Sequence, residues 1–196
     1  MAKVDSSTVD ERPLVLRLRL TGRVEHPDPD DAASLVALGH AVARNDRLVL
    51  SPAGRAAADV EFRAIDGEPR AAVASAYEHF LPRNVELIRV CNDWQVRPGN
   101  VPNDHADTTY DWSVIDRLTT IDDRTGPVIR RLGRAVPEFD GYRPRLRTAR
   151  ARVENGEPDW FTSPRIESYH TVWMELHEHL LVALGIERAT ESVEST

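Results

Sequence analysis

From Ala72 to Leu184 large apolar side chains return mostly every three or four residues, and that period limits what the chain can build more than any motif does. A helix with one apolar stripe satisfies it only by packing on another element. The spacing of Tyr77, Phe80, Leu81, Leu87, Ile88, Cys91 and Trp94 predicts a helix bending at Pro82. Further helices are expected at 109–120, 123–135, 143–154 and 167–184, broken at Asp122-Asp123, at Pro137 and at Gly156-Glu157-Pro158. Residues 97–105 read as a loop, and residues 65–70, rich in turn formers, as a linker.

Ahead of the linker the pattern changes. Pro13 starts a helix carrying Leu14, Leu16, Leu18 and Leu20, and a second follows the acidic loop at Asp28 to Asp31 and runs to about Gly39. Asn45-Asp46 supplies a hairpin turn returning through Leu48-Val49-Leu50, and Ser51-Pro52 caps and opens a third helix. The order of helix, helix and hairpin running into Leu50-Ser51-Pro52-Ala53-Gly54-Arg55 resembles the end of a winged-helix domain. The expected fold class is therefore mainly α with a small β-hairpin, a winged-helix-like part at 12–64 and a helical domain at 72–186. A DNA-reading winged helix needs two helices ahead of its hairpin, one to brace and one to enter the major groove. Between Gly22 and Arg44 only one fits, and it offers Asp30, Asp31 and Ser34 to the bases.

Charge points the same way. The chain of 196 residues has a net charge of −7, and residues 1–67 hold nine basic against eleven acidic side chains, so the footprint that neutralises phosphates is missing. DNA is the less favoured partner. Cys91, the single cysteine, excludes an internal disulfide and a Cys-based zinc site within one chain. No membrane-spanning run or leader is expected, which places the chain in the cytoplasm, and the use of arginine with Lys3 as the only lysine suggests a GC-rich bacterial genome.

Four segments carry a second resemblance: Cys91-Asn92-Asp93-Trp94-Gln95, Asn103-Asp104-His105 with Tyr110-Asp111, Tyr142-Arg143-Pro144-Arg145-Leu146, and the run from Ser168 to Glu178. Together they resemble a two-part module of GC-rich bacteria, free-standing or appended to phosphoenolpyruvate-synthase-like phosphotransfer proteins. The resemblance implies no activity, and leaves open a role as an adaptor of a phosphotransfer enzyme.

Three groups of residues could carry chemistry. In the helix from Ser168, the stripe Tyr169, Val172, Trp173, Leu176 and Leu180 is core, while His170 sits in the first turn, where the helix dipole favours a neutral imidazole suited to act as a base. A zinc-protease motif fails because Leu181 stands where the second histidine belongs; Glu175 and His179, four apart, are explained by an exposed ion pair. The second group is Asp93 and Trp94 with Asp104, His105 and Asp111, which a loop of this length lets converge. The third is arginine: residues 122–155 carry nine basic against five acidic side chains, and Arg143, Arg147 and Arg150 share a helix face suited to phosphate or carboxylate, or to pairing with acidic neighbours.

The leading expectation is a dimeric protein whose helical domain binds a small anionic metabolite, without metal or cofactor. His170, Asp93, His105 and Asp111 would act as acid or base, and Arg143, Arg147, Trp94, Tyr169 and Trp173 would hold the ligand. If catalytic, it would be a cofactor-independent lyase or cyclase. The alternative is a ligand-responsive winged-helix regulator contacting DNA through Arg44, Arg47 and Arg55.

Overall fold

The computed structural model describes residues 13–63 and 65–187. The expected loose start and the acidic tail lie largely outside the described residues. The chain is mainly helical with a small β part, and its contacts divide it into two units between Ala64 and Ile65.

The first unit runs α1 (Leu14–Thr21), β1 (Arg23–Glu25), α2 (Pro29–Ala37), β2 (Ala41–Arg44), β3 (Arg47–Leu50) and α3 (Pro52–Phe62). Its antiparallel sheet has the order β1-β3-β2, with Val24 opposite Leu48 and Ala43 opposite the same residue from the other side. Leu14, Leu18, Val24, Ala41 and Leu48 form its core. The hairpin turn is at Asn45, which takes a positive φ of 54°. β1 was not expected; at three residues it is too short to show alternation, and the ladder to β3 defines it. One helix alone, α2, lies between β1 and the hairpin, with the Asp28 side chain accepting from the N–H groups of Asp30 and Asp31.

The turn from β3 into α3 has a steric explanation. Ser51 accepts from the Gly54 N–H (3.0 Å) and donates to the Gly39 carbonyl (2.7 Å), and a methyl at Gly54 would overlap the backbone carbonyl of His40. The Ser-Pro-x-Gly sequence thus seats the first turn of α3 directly on the chain entering β2.

The second unit runs α4 (Gly67–Gln95), a two-stranded hairpin of β4 (Val96–Arg97) and β5 (Val101–Pro102), α5 (Thr108–Ala135), a 3₁₀ turn at Pro137–Phe139, α6 (Tyr142–Glu154), α7 (Asp159–Thr162) and α8 (Tyr169–Leu184). Most of the expected linker is the first turn of α4. The hairpin replaces part of the expected loop. α4 and α5 are antiparallel and tied along one edge by Arg117 to Asp93 (2.6 Å) and Arg124 to Glu86 (3.9 Å). Among the described residues no helix is long and apolar enough to cross a membrane.

The expected break at Asp122-Asp123 does not occur, and α5 passes through it and through Pro127. Asp122, 1% exposed, accepts from Arg143 (2.6 Å) and Arg150 (2.9 Å) of α6 and from the Tyr169 hydroxyl of α8 (3.1 Å). Gly126 makes this possible, since a methyl there would lie 3.0 Å from the Arg143 guanidinium. An aspartate pair reads as a helix break only while its partners on other helices are unknown.

α8 is buried around most of its circumference, packed by α4, α6 and α7. Glu175 and His179 are therefore not an exposed pair. Glu175 receives both terminal nitrogens of Arg145 (3.0 and 2.8 Å), and His179 stacks on Phe139 at 3.8 Å with its Nδ1 3.2 Å from the Tyr142 hydroxyl.

Candidate active site

The chain between α4 and α5 brings three of the expected site residues together. α4 ends with Trp94 buried against Phe161 of α7, ring centroids 4.4 Å apart and nearly parallel. The hairpin returns the chain, fixed by the Asn103 N–H to the Gln95 carbonyl (2.8 Å), and Asp107 starts α5 by accepting from the Tyr110 N–H (3.0 Å). Because Asp107 takes the cap, Asp111, one turn later and 8% exposed, is left to face the loop.

His105 lies over Trp94 at 4.4 Å between centroids, and its Nδ1 is 3.0 Å from Asp111 Oδ2. A carboxylate only accepts, so Nδ1 carries the proton and Nε2 of the neutral ring holds the lone pair. Asn103 fixes the other half of the carboxylate: its amide nitrogen donates to Asp111 Oδ1 (2.8 Å) and to the Trp94 carbonyl (3.0 Å). Its amide oxygen accepts from the His105 N–H (3.3 Å). Both amide hydrogens are thereby used, and its 3.2 Å approach to Nδ1 is a contact between two donors. The ring is held by a carboxylate at one edge and an indole at one face, and the side chain stays one-third exposed.

The backbone is bent to allow this. His105 sits at φ 58° and Asn100 at φ 61°, the left-handed region that side chains other than glycine enter at a cost of about 1 kcal/mol or more. Asp104 holds the bend by accepting from the Ala106 N–H (3.1 Å). The hairpin between α4 and α5 also carries Arg97, which pairs with Asp107 (2.7 Å) and lies 4.9 Å from the Tyr110 ring centroid. The Tyr110 N–H, followed by the Arg97 charge, holds the Asp107 carboxyl below its ordinary range. Arg97, Pro98, Val101 and Tyr110 line a depression of about 340 Å³.

The other expected site residues lie elsewhere in the unit. The Asp93 carboxylate pairs with Arg117, while its backbone carbonyl accepts from the Tyr110 hydroxyl (2.8 Å). Arg143 is committed to Asp122, eleven residues along α5 from Asp111 and so about 16 Å away at 1.5 Å per residue. Arg147 is exposed on α6 with no ion pair to a described residue. Tyr169 and Trp173 are fully buried; the Tyr169 hydroxyl donates to Asp122 and the Trp173 indole N–H to Asn84 (3.0 Å). His170 is half-buried in the first turn of α8, and desolvation lowers its pKa, in the direction that favours the neutral ring. Among the described residues no three His, Cys, Asp or Glu side chains are grouped as a metal site would need.

Asn103 is the member that was not among the expected site residues. Its signal was spacing, two residues before His105 and eight before Asp111, which acquires meaning only when the loop closes. Neither a family model, nor a curated protein, nor a solved structure matches the chain.

Proposed function

We propose that the second unit binds a small anionic molecule at the loop between α4 and α5, and that His105 moves a proton there with Asp111 as its positioning partner. The observation that carries this reading is the 3.0 Å hydrogen bond from His105 to Asp111, locked from the other side by Asn103. A ring fixed in one tautomer, packed against an indole and still open to solvent is prepared to take a proton. Buried structural histidines such as His179, 1% exposed and stacked on Phe139, lack the last property.

The chemistry that suits the arrangement is removal of a proton next to a carbonyl. Nε2 takes the proton, the C–H electron pair becomes the new double bond, and an anion leaves with the electrons of its own bond in an elimination. Arg97, half-exposed at the depression, supplies the positive charge for a carboxylate of the substrate. Arg143 takes no part in this version of the site, because Asp122 holds it eleven residues along α5 from Asp111, about 16 Å away.

The test is deuterium wash-in. The full chain is incubated in D₂O with a panel of small oxo and hydroxy acids, and loss of the α-proton signal is followed by NMR. Exchange that vanishes in His105→Gln, falls at least tenfold in Asp111→Asn and persists in His170→Gln is expected. Exchange retained in His105→Gln, or neither exchange nor saturable binding across the panel, removes the proposal.

A further inference from the structure

The edge that ties α4 to α5 repeats every seven residues. Asp93 meets Arg117 and, seven residues back on α4 and seven forward on α5, Glu86 meets Arg124. A seven-residue step keeps a helix face within about 20°, so the next rung pairs position 79 with Arg131. Position 79 is His79, not an acid. Here a cavity of about 410 Å³ lies between residues of the two helices. Arg131 is exposed at its wall and makes no ion pair with a described residue.

We propose that this cavity is a binding site for a small monocarboxylate with an apolar body, whose carboxylate supplies the acid that the third rung lacks. Arg131 presents a guanidinium fork suited to a carboxylate. His79 Nδ1 is 2.8 Å from the Ser75 carbonyl, which only accepts, so Nδ1 donates there and holds the ring at the cavity it lines. Next to this polar end Ala71, Ala72 and Ala76 of α4 and Val128 and Leu132 of α5 form an apolar wall. The volume lies within the usual range for small-ligand sites, and so does the balance of an apolar wall with a few convergent polar groups. Glu68 lines the same cavity but sits eleven residues from His79, about 16 Å along α4. A second negative charge at the far end of the ligand would approach Glu68, which selects a monoanion over a dicarboxylate. The site is distinct from the His105 loop, since Asp111 and Arg131 are about 30 Å apart along α5.

Hexanoate is the probe. Titrated into the ¹⁵N-labelled full chain, it is expected to give saturable shifts at the amides of Ala71, Ala76 and Leu132. Hexanol and inorganic phosphate, each lacking half of the recognition, are expected to bind at least tenfold more weakly. Arg131→Gln, at an exposed position that leaves the fold intact, weakens hexanoate at least tenfold, and Ala72→Leu fills the cavity and blocks it. His105→Gln leaves hexanoate binding unchanged, which separates this site from the proton-transfer site. Shifts that never saturate, that hexanol reproduces, or that survive Arg131→Gln overturn the proposal.

Discussion

Replacing Asp122 with asparagine keeps the shape of the side chain and removes the one buried charge that three groups share. Arg143 and Arg150, with side chains 16% and 21% exposed, lose their common anion, and the Tyr169 hydroxyl is left facing an amide. Stripping one partner from a buried ionic cluster costs about 3–5 kcal/mol. Water reaches both arginines in part, and Arg150 keeps Asp123 at 2.8 Å, so the lower end, about 3 kcal/mol, is expected. For a domain of this size that is a fall in melting temperature of about 10 °C. Tyr169→Phe removes only a neutral donor from a carboxylate that retains both arginines, and about 1.5 kcal/mol is expected. The assay is urea unfolding followed by tryptophan fluorescence. Trp94, Trp112, Trp160 and Trp173 all belong to the second unit, so the signal reports that unit without the first. A loss below about 1 kcal/mol for Asp122→Asn, or equal losses for the two variants, would refute the view that the charge organises the cluster.

Three further outcomes are expected. Gly54→Ala forces a methyl onto the His40 carbonyl and destabilises the first unit by about 1–3 kcal/mol, visible as early loss of its amide signals on heating while those of the second unit persist. Burial pushes the Cys91 thiol up to about 12, so iodoacetamide at pH 8 leaves it unmodified in the folded chain and alkylates it in urea; equal rates would contradict its burial. Desolvation depresses His170 in the folded state below its unfolded value of about 6.5, so its protonation favours unfolding. The wild-type chain loses stability relative to His170→Gln as pH falls below that value, and the two curves run parallel above it; a difference that grows towards high pH would reverse the assignment.

The sequence made the helices of the second unit legible because their apolar period is long, and it located the Ser51 cap because the signal is local. It was silent wherever the deciding partner is distant in the chain. Asp122 looked like an interruption until Arg143, Arg150 and Tyr169 were set around it. Glu175 and His179 looked exposed because a single stripe was assigned to α8, whereas three helices cover it. In the candidate site, His105 and Asp111 could be suspected of meeting, since they stand six positions apart across a loop and one helix turn. Asn103 could not, because its role depends on the hairpin of β4 and β5 returning it to the Trp94 carbonyl.

His105 occupies a left-handed backbone position that glycine or asparagine fills with less strain. A library selected for thermal stability alone would therefore weigh relief of that strain against loss of the hydrogen bond to Asp111, and any glycine it accepts here discards the imidazole. Backbone strain, loop anchoring and proton transfer all meet at this one residue.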